Sequence, residues 1–199
     1  MPDIQPRKIA TVTPDPTALK ALAHPMRLRM LGLLRIDGPA TASGLAERLG
    51  LNSGATSYHL RQLALHGFIE EDAERGNARD RWWRARHEVT NYLAREAEGE
   101  ALEVGLAFGQ AALNWQITQM QGALANYPEL APEWRSASTA SDYTMALTAG
   151  QAEVLIKKIL GLLEEAGASA PALGSELPKG TRPFSIILHA APHVSEDKP

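Results

Sequence analysis

Residues 18–86 read ALKALAHPMRLRMLGLLRIDGPATASGLAERLGLNSGATSYHLRQLALHGFIEEDAERGNARDRWWRAR. The punctuation divides this stretch into helices. Pro14 and Pro16 mark a helix start, Leu19 and Leu22 open its apolar face, and His24-Pro25 ends it, because the residue before a proline disfavours helical backbone. A second helix runs over 26–36 with Leu28, Met30, Leu31 and Leu34 turned inward, and Asp37-Gly38-Pro39 stops it. Thr41 can cap a third helix over 42–49, held by Leu45 and Leu49 and closed by Gly50 in left-handed backbone. Leu51 and Asn52 make a turn, Ser53 is the expected next cap, and 54–66 form a fourth helix ended by Gly67.

Two strands follow, over 68–72 and 79–86, joined by a Glu74-Arg75-Gly76-Asn77 turn. The order is helix, helix, turn, helix, basic hairpin. On the fourth helix Thr56, Leu60 and Leu63 share one face, while Gly54, Ser57, Tyr58 and Arg61 share the other, flanked by Ala55 and Gln62. A reader of the DNA major groove needs this division: small residues for close approach, then hydroxyl, amide and guanidinium groups for base edges. Ser53 and the free amides at the helix start suit a phosphate. Arg75, Asn77, Arg79 and Arg81 are the corresponding candidates on the hairpin, and at least one of Trp82 and Trp83 is expected to pack in the core.

The pieces LAHPMRLRMLGLL, TASGLAERLGLNSGATSYHLRQLALHGFI and RDRWWRAR together resemble the ArsR-like winged helix-turn-helix repressors of bacteria, over roughly residues 17–90. The resemblance implies a homodimer that places two recognition helices in the major groove, with Ser53, Ser57, Tyr58, Arg61 and Gln62 as readers. It does not bring metal sensing with it. The chain has no cysteine, and no histidine lies between residues 100 and 126.

Beyond the module, residues 100–126 form a long helix with two apolar stripes. Leu102, Leu106, Leu113, Ile117, Met120 and Leu124 form the expected dimerisation face; Val104, Phe108, Ala111 and Trp115 lie beside it. A helix apolar over so much of its girth needs cover from two directions, its own module and a partner chain. Tyr143, Met145 and Leu147 alternate as a strand does, Thr148 with Gln151 makes a capping box for a helix over 149–166, and residues 184–188 make a second short strand. Trp115, Met120, Tyr127 and Trp134 either line a pocket for a small apolar effector or belong to the core.

The expected fold is therefore mainly α with a small β component. It comprises a flexible arm (1–15), a winged helix-turn-helix DNA-binding domain (16–90), and a dimerisation and effector region (91–199) with the long helix and a strand-helix-strand segment.

Net charge looks unsuited to DNA at −3, until it is divided. Residues 17–90 carry 11 Lys/Arg against 8 Asp/Glu, whereas residues 91–199 carry 7 against 13. The positive excess sits in the module that would meet phosphate. With 44% hydrophobic and 22% charged residues the chain is globular in composition. No apolar run approaches the ~20 residues of a membrane span, and no leader pattern opens the chain, so a cytoplasmic place is expected. No activated serine, carboxylate pair, P-loop or dinucleotide motif points to catalysis, and no cofactor or metal is expected. His189 and His193 are spaced for a metal on a helix, but Pro192 argues against that helix. The reading is a DNA-binding transcriptional repressor acting as a homodimer on a near-palindromic operator. Two others stay open: a small-molecule sensor with secondary DNA affinity, and a winged-helix protein-interaction module using the acidic strand 70–72.

Overall fold

The computed structural model describes residues 6–76, 80–92 and 97–193. In order, its elements are β1 (Thr11–Val12), α1 (Pro16–Leu22), α2 (Pro25–Ile36), β2 (Ala40–Thr41), α3 (Ala42–Leu49), α4 (Ser53–Leu65), β3 (Ile69–Glu71), β4 (Trp82–Ala85), β5 (Val89–Thr90), α5 (Gly99–Asn126), α6 (Pro132–Ala137) and α7 (Ala149–Ala168). The chain is mainly α with a small β component.

Each helix of the module begins at a cap. Asp15 accepts the Ala18 amide, the His24 ring accepts the Met26 amide, and Thr41 accepts the Gly44 amide. The α4 cap is Asn52 rather than Ser53: the Asn52 side chain accepts the Ala55 amide at 2.8 Å, so the helix starts one residue earlier than expected. Gly50 ends α3 at φ 64°, a backbone that glycine adopts without steric cost.

One core joins these elements. Leu19, Leu22, Met30, Leu31, Leu34, Leu45, Leu60 and Leu63 pack with Phe68, Ile69, Trp83 and, from α5, Phe108. The inward face read for α4 holds in full, with Thr56, Leu60 and Leu63 all buried. Strands β2, β4 and β3 form an antiparallel sheet in that spatial order, pairing Ala40 with Trp83 and Glu71 with Trp83 on its other side. Alternation turns Trp83 into the core and leaves Trp82 half-buried. The two strands are shorter than expected, and β2 was not read from the sequence.

Within the expected flexible arm, residues 7–12 are tied down. β1 pairs in parallel with β5, Thr11 against Val89 and Val12 against Thr90. Arg7 donates from its backbone to Ala168 O (3.0 Å), from Nε to Ala170 O (2.9 Å) and from Nη1 to Glu88 (2.7 Å). Ala168 is the last residue of α7 and Ala170 lies just beyond it, so the guanidinium sits near the helix C-terminus, where the dipole favours a cation.

Helix α5 packs on α1 and α2 through one stripe: Phe108 and Ala111 are buried, and Trp115 lies against Gly32. The other stripe is open. Helix α7 has its capping box, Thr148 with Gln151, yet buries no side chain. The strands expected at 143–147 and 184–188 are not strands here. Their backbone finds no neighbour to form a ladder among the described residues, and strand structure requires one.

Candidate nucleic-acid interface

The outward face of α4 begins at its free amides. Asn52 satisfies one of them; Ser53 and Gly54 are exposed, and Ala55 and Ser57 are half-buried. Tyr58 and Arg61 project from the next turns into solvent, and Gln62 is half-buried beside them. Arg61 makes no ion pair with a carboxylate among the described residues.

Beside this face lies a hollow of about 360 Å³. Ser53, Ser57 and Arg61 of α4 form one wall; Thr41, Ala42 and Ser43 at the start of α3 form the second; Asp80, Arg81 and Trp83 of the wing form the third. Two guanidinium groups, four hydroxyls and two helix N-termini thus meet one carboxylate. The balance suits a phosphodiester, whose oxygens accept from all of these groups. Thr41 and Ser43 were not among the sequence candidates. Thr41 reads as a cap and nothing more until β2 lays residues 40–41 along β4.

The wing cations are less free than Arg61. Arg81 pairs with Glu71 at 3.2 Å and sits 5.7 Å over the Trp83 ring. Arg75 stands 3.6 Å from Asp72, while Arg84 and Arg86 both reach Glu70. The acidic run Glu70–Asp72 is therefore neutralised in place by its own sheet, which leaves it a poor docking strip for a basic partner. Asn77 and Arg79 lie outside the described residues.

Behind α4, the His24 and His59 rings approach to 4.6 Å, with Arg27 beside them. Burial first, then Arg27 for His24, lowers the proton affinity of that ring; for His59 burial leads, followed by His24 and Arg27. Both effects favour the neutral ring. His24 accepts the Met26 amide at Nδ1, which puts the neutral ring's proton on Nε2. His66 is the C-cap residue of α4.

The other candidate groups are placed as follows. Leu102, Leu106, Leu113, Ile117, Met120 and Leu124 are all exposed on α5, from 37% at Leu113 to 76% at Leu124. Trp115 packs on Gly32 with Arg29 nearby, whereas Trp134 faces Phe184 and Arg182. Met120 and Tyr127 are exposed, and none of these four residues lines the hollow at α4 or a smaller one between α1 and α5. His189 bonds Gln116 at 2.7 Å, and among the described residues no cluster of three metal-ligating side chains occurs. No helix among them is long and apolar enough to cross a membrane.

Residues 22–72 match the profile of a family described as a helix-turn-helix domain. The chain carries that domain. The match covers α2, β2, α3, α4 and β3 and stops before the wing turn, so that turn, β4 and residues 91–199 lie outside it. Comparison with curated proteins gives no match.

Proposed function

We propose that this protein is a sequence-specific DNA-binding transcriptional regulator of the ArsR-like winged helix-turn-helix type, a cytoplasmic, bacterial, non-enzymic repressor. Helix α4 enters the major groove, with Ser53, Gly54, Ala55, Ser57, Tyr58, Arg61 and Gln62 at the DNA surface. The hollow between α3, α4 and the wing receives a backbone phosphate, with Arg81 on its wing side, and Arg75 of the wing turn contacts the DNA backbone beyond it. Residues 16–90 are the DNA-binding domain and 91–199 the dimerisation region. A homodimer presents two α4 helices to successive major grooves about 34 Å apart, which requires a near-palindromic operator. Repression follows from occlusion of the promoter.

The observation that carries this reading is Arg61, without an ion pair among the described residues, on a helix face of small and polar residues that opens onto a hollow rich in hydroxyl and guanidinium donors. Selection from a randomised duplex library at near-physiological salt tests it. Enrichment of a two-fold symmetric motif is the expected result. A folded protein that enriches nothing overturns it.

A further inference from the structure

The region after the module is ordered helix and extended chain, yet beyond Ala111 no described residue is buried. A chain of 21.5 kDa folded as a compact monomer exposes about 9,200 Å². This one exposes 14452 Å². Granting the 18 residues outside the description the area of a fully extended chain still leaves an excess of roughly 3,000 Å². Two copies carry roughly 6,000 Å² between them, at the upper end of what obligate dimers bury and more than two rigid faces normally hide.

Along α5 the open surface is apolar and uncharged. No charged residue occurs between Glu103 and Glu129, although α5 stands largely in solvent over much of that length. Depletion of charge marks the centre of an interface, whereas a solvated helix face carries Lys and Glu. Tyr143, Met145 and Leu147 alternate along one stretch, Phe184, Ile186, Ile187 and Leu188 make a second apolar run, and all of these but Ile187 are more than 40% exposed. Their backbone groups join no ladder among the described residues. An open edge with apolar side chains is a template for another chain.

We infer that residues 127–193 are an intertwining segment completed by a second copy of this chain: stretches 143–147 and 184–188 pair with those of the partner, and α7 covers the open stripe of α5 across the dimer. The inference deepens the homodimer proposed above and rests on it for the choice of partner, although no step of it involves DNA. Two open surfaces on one chain, a helix stripe and a pair of strand edges, are what a second copy satisfies with nothing left over, since a two-fold interface presents each surface to its complement. A single pair of strands is marginal alone, and two pairs make a sheet of four. The far end of α7 is pinned to its own module by Arg7, and Gly174 lies against Gly38, so α7 is held clear of α5 and makes no extensive contact with any other element. The space between belongs to the partner.

The chain has no cysteine, so introduced thiols are the only ones. Met145→Cys and Ile186→Cys chains are co-expressed, oxidised and mapped by peptide mass, and wild type is sized by sedimentation equilibrium without DNA. Both sites are exposed in the single chain, so neither change threatens the core. The expected results are a wild-type mass of two chains and a mixed disulfide joining Met145→Cys of one chain to Ile186→Cys of the other as the main cross-linked species. A monomer, or a dimer without that disulfide, overturns the inference. A cross-linked dimer that selects no DNA motif leaves it standing and removes the DNA reading; a selected motif without the disulfide does the reverse.

Discussion

Arg61→Ala separates the fold from its proposed function. The side chain is exposed, forms no internal ion pair among the described residues, and sits opposite Leu60 and Leu63, both wholly buried. Its removal takes nothing from the core, so stability should move by no more than about 0.5 kcal/mol. A guanidinium that grips guanine through two hydrogen bonds contributes about 1–3 kcal/mol of discrimination. A homodimer has two such residues, so with additive half-sites the loss on a symmetric operator is about 2–6 kcal/mol, a Kd raised at least about 30-fold. The assay is fluorescence anisotropy at one fixed salt concentration, on the selected operator and on duplexes changed one base pair at a time. The variant should lose its preference at one position per half-site and bind the altered duplexes as the wild type does. Arg61→Lys should share that loss, because an ammonium keeps the charge without the planar fork. If Arg61 instead holds phosphate, Arg61→Lys recovers most of the affinity, and Arg61→Ala lowers the salt slope by about one per site. An unchanged Kd at an unchanged melting temperature refutes both contacts and removes α4 as the reading element at that turn.

Arg81→Ala should weaken binding to all sequences alike and flatten the salt dependence, by less than a cation with no internal partner would, because Arg81 already pairs with Glu71; titrations from low to high salt check it. Asn52→Ala removes the α4 cap and should cost about 1 kcal/mol, lowering the melting temperature by a few degrees. Leu63→Ala empties a site with no exposure and should cost about 2–5 kcal/mol in urea unfolding. The Arg7 hydrogen bond, then the Ala10 amide and the Arg7 and Arg35 charges, depress the Glu88 carboxyl against the opposing effect of burial. A depressed carboxyl stabilises the fold above its unfolded value near 4.3, and that contribution disappears as pH falls through the lower folded value. Glu88→Gln should therefore be less stable than wild type at pH 7, with the difference closing under strong acid. A difference that is flat with pH would remove Glu88 from the clasp.

The DNA-binding module was legible because its signals are local and mutually consistent. Thr56, Leu60 and Leu63 fall on one side of α4 at helical spacing, Thr41 caps α3, and Gly50 closes it in the left-handed backbone the turn needs. The one-residue error at Asn52-Ser53 has a simple cause, since both side chains are good caps and only geometry chooses between them. β2 and the β1–β5 pair were missed for another reason. Each is two residues long, and β1 meets β5 across nearly eighty residues of sequence, so no periodicity in a short window can reveal it. Arg7, Glu88 and Arg35 are scattered charges in the sequence and become one group only through that pairing. Burial lowers Arg35 to about 10, opposed by Glu88, so it stays charged while donating to His87 O and Thr90.

The two C-terminal stretches show why alternation and strand are different statements. Alternation reports which side of an extended chain is to be buried, and Tyr143, Met145 and Leu147 alternate in that way, while Phe184–Leu188 is a short apolar run. A strand also needs a neighbour for its amides and carbonyls, and a sequence pattern is silent about whose chain supplies it. The long helix poses the same problem: its first stripe finds α1 and α2 within its own chain, while the second, from Leu106 to Leu124, carries no charge and stays exposed among the described residues. Hydrophobic surface on this scale is costly in water, at about 25 cal/mol per Å², so roughly 3,000 Å² of even half-apolar excess outweighs the whole stability of an ordinary domain. On the proposed dimer this is the surface that two copies would bury, and it is also the surface that would set the distance between their α4 helices.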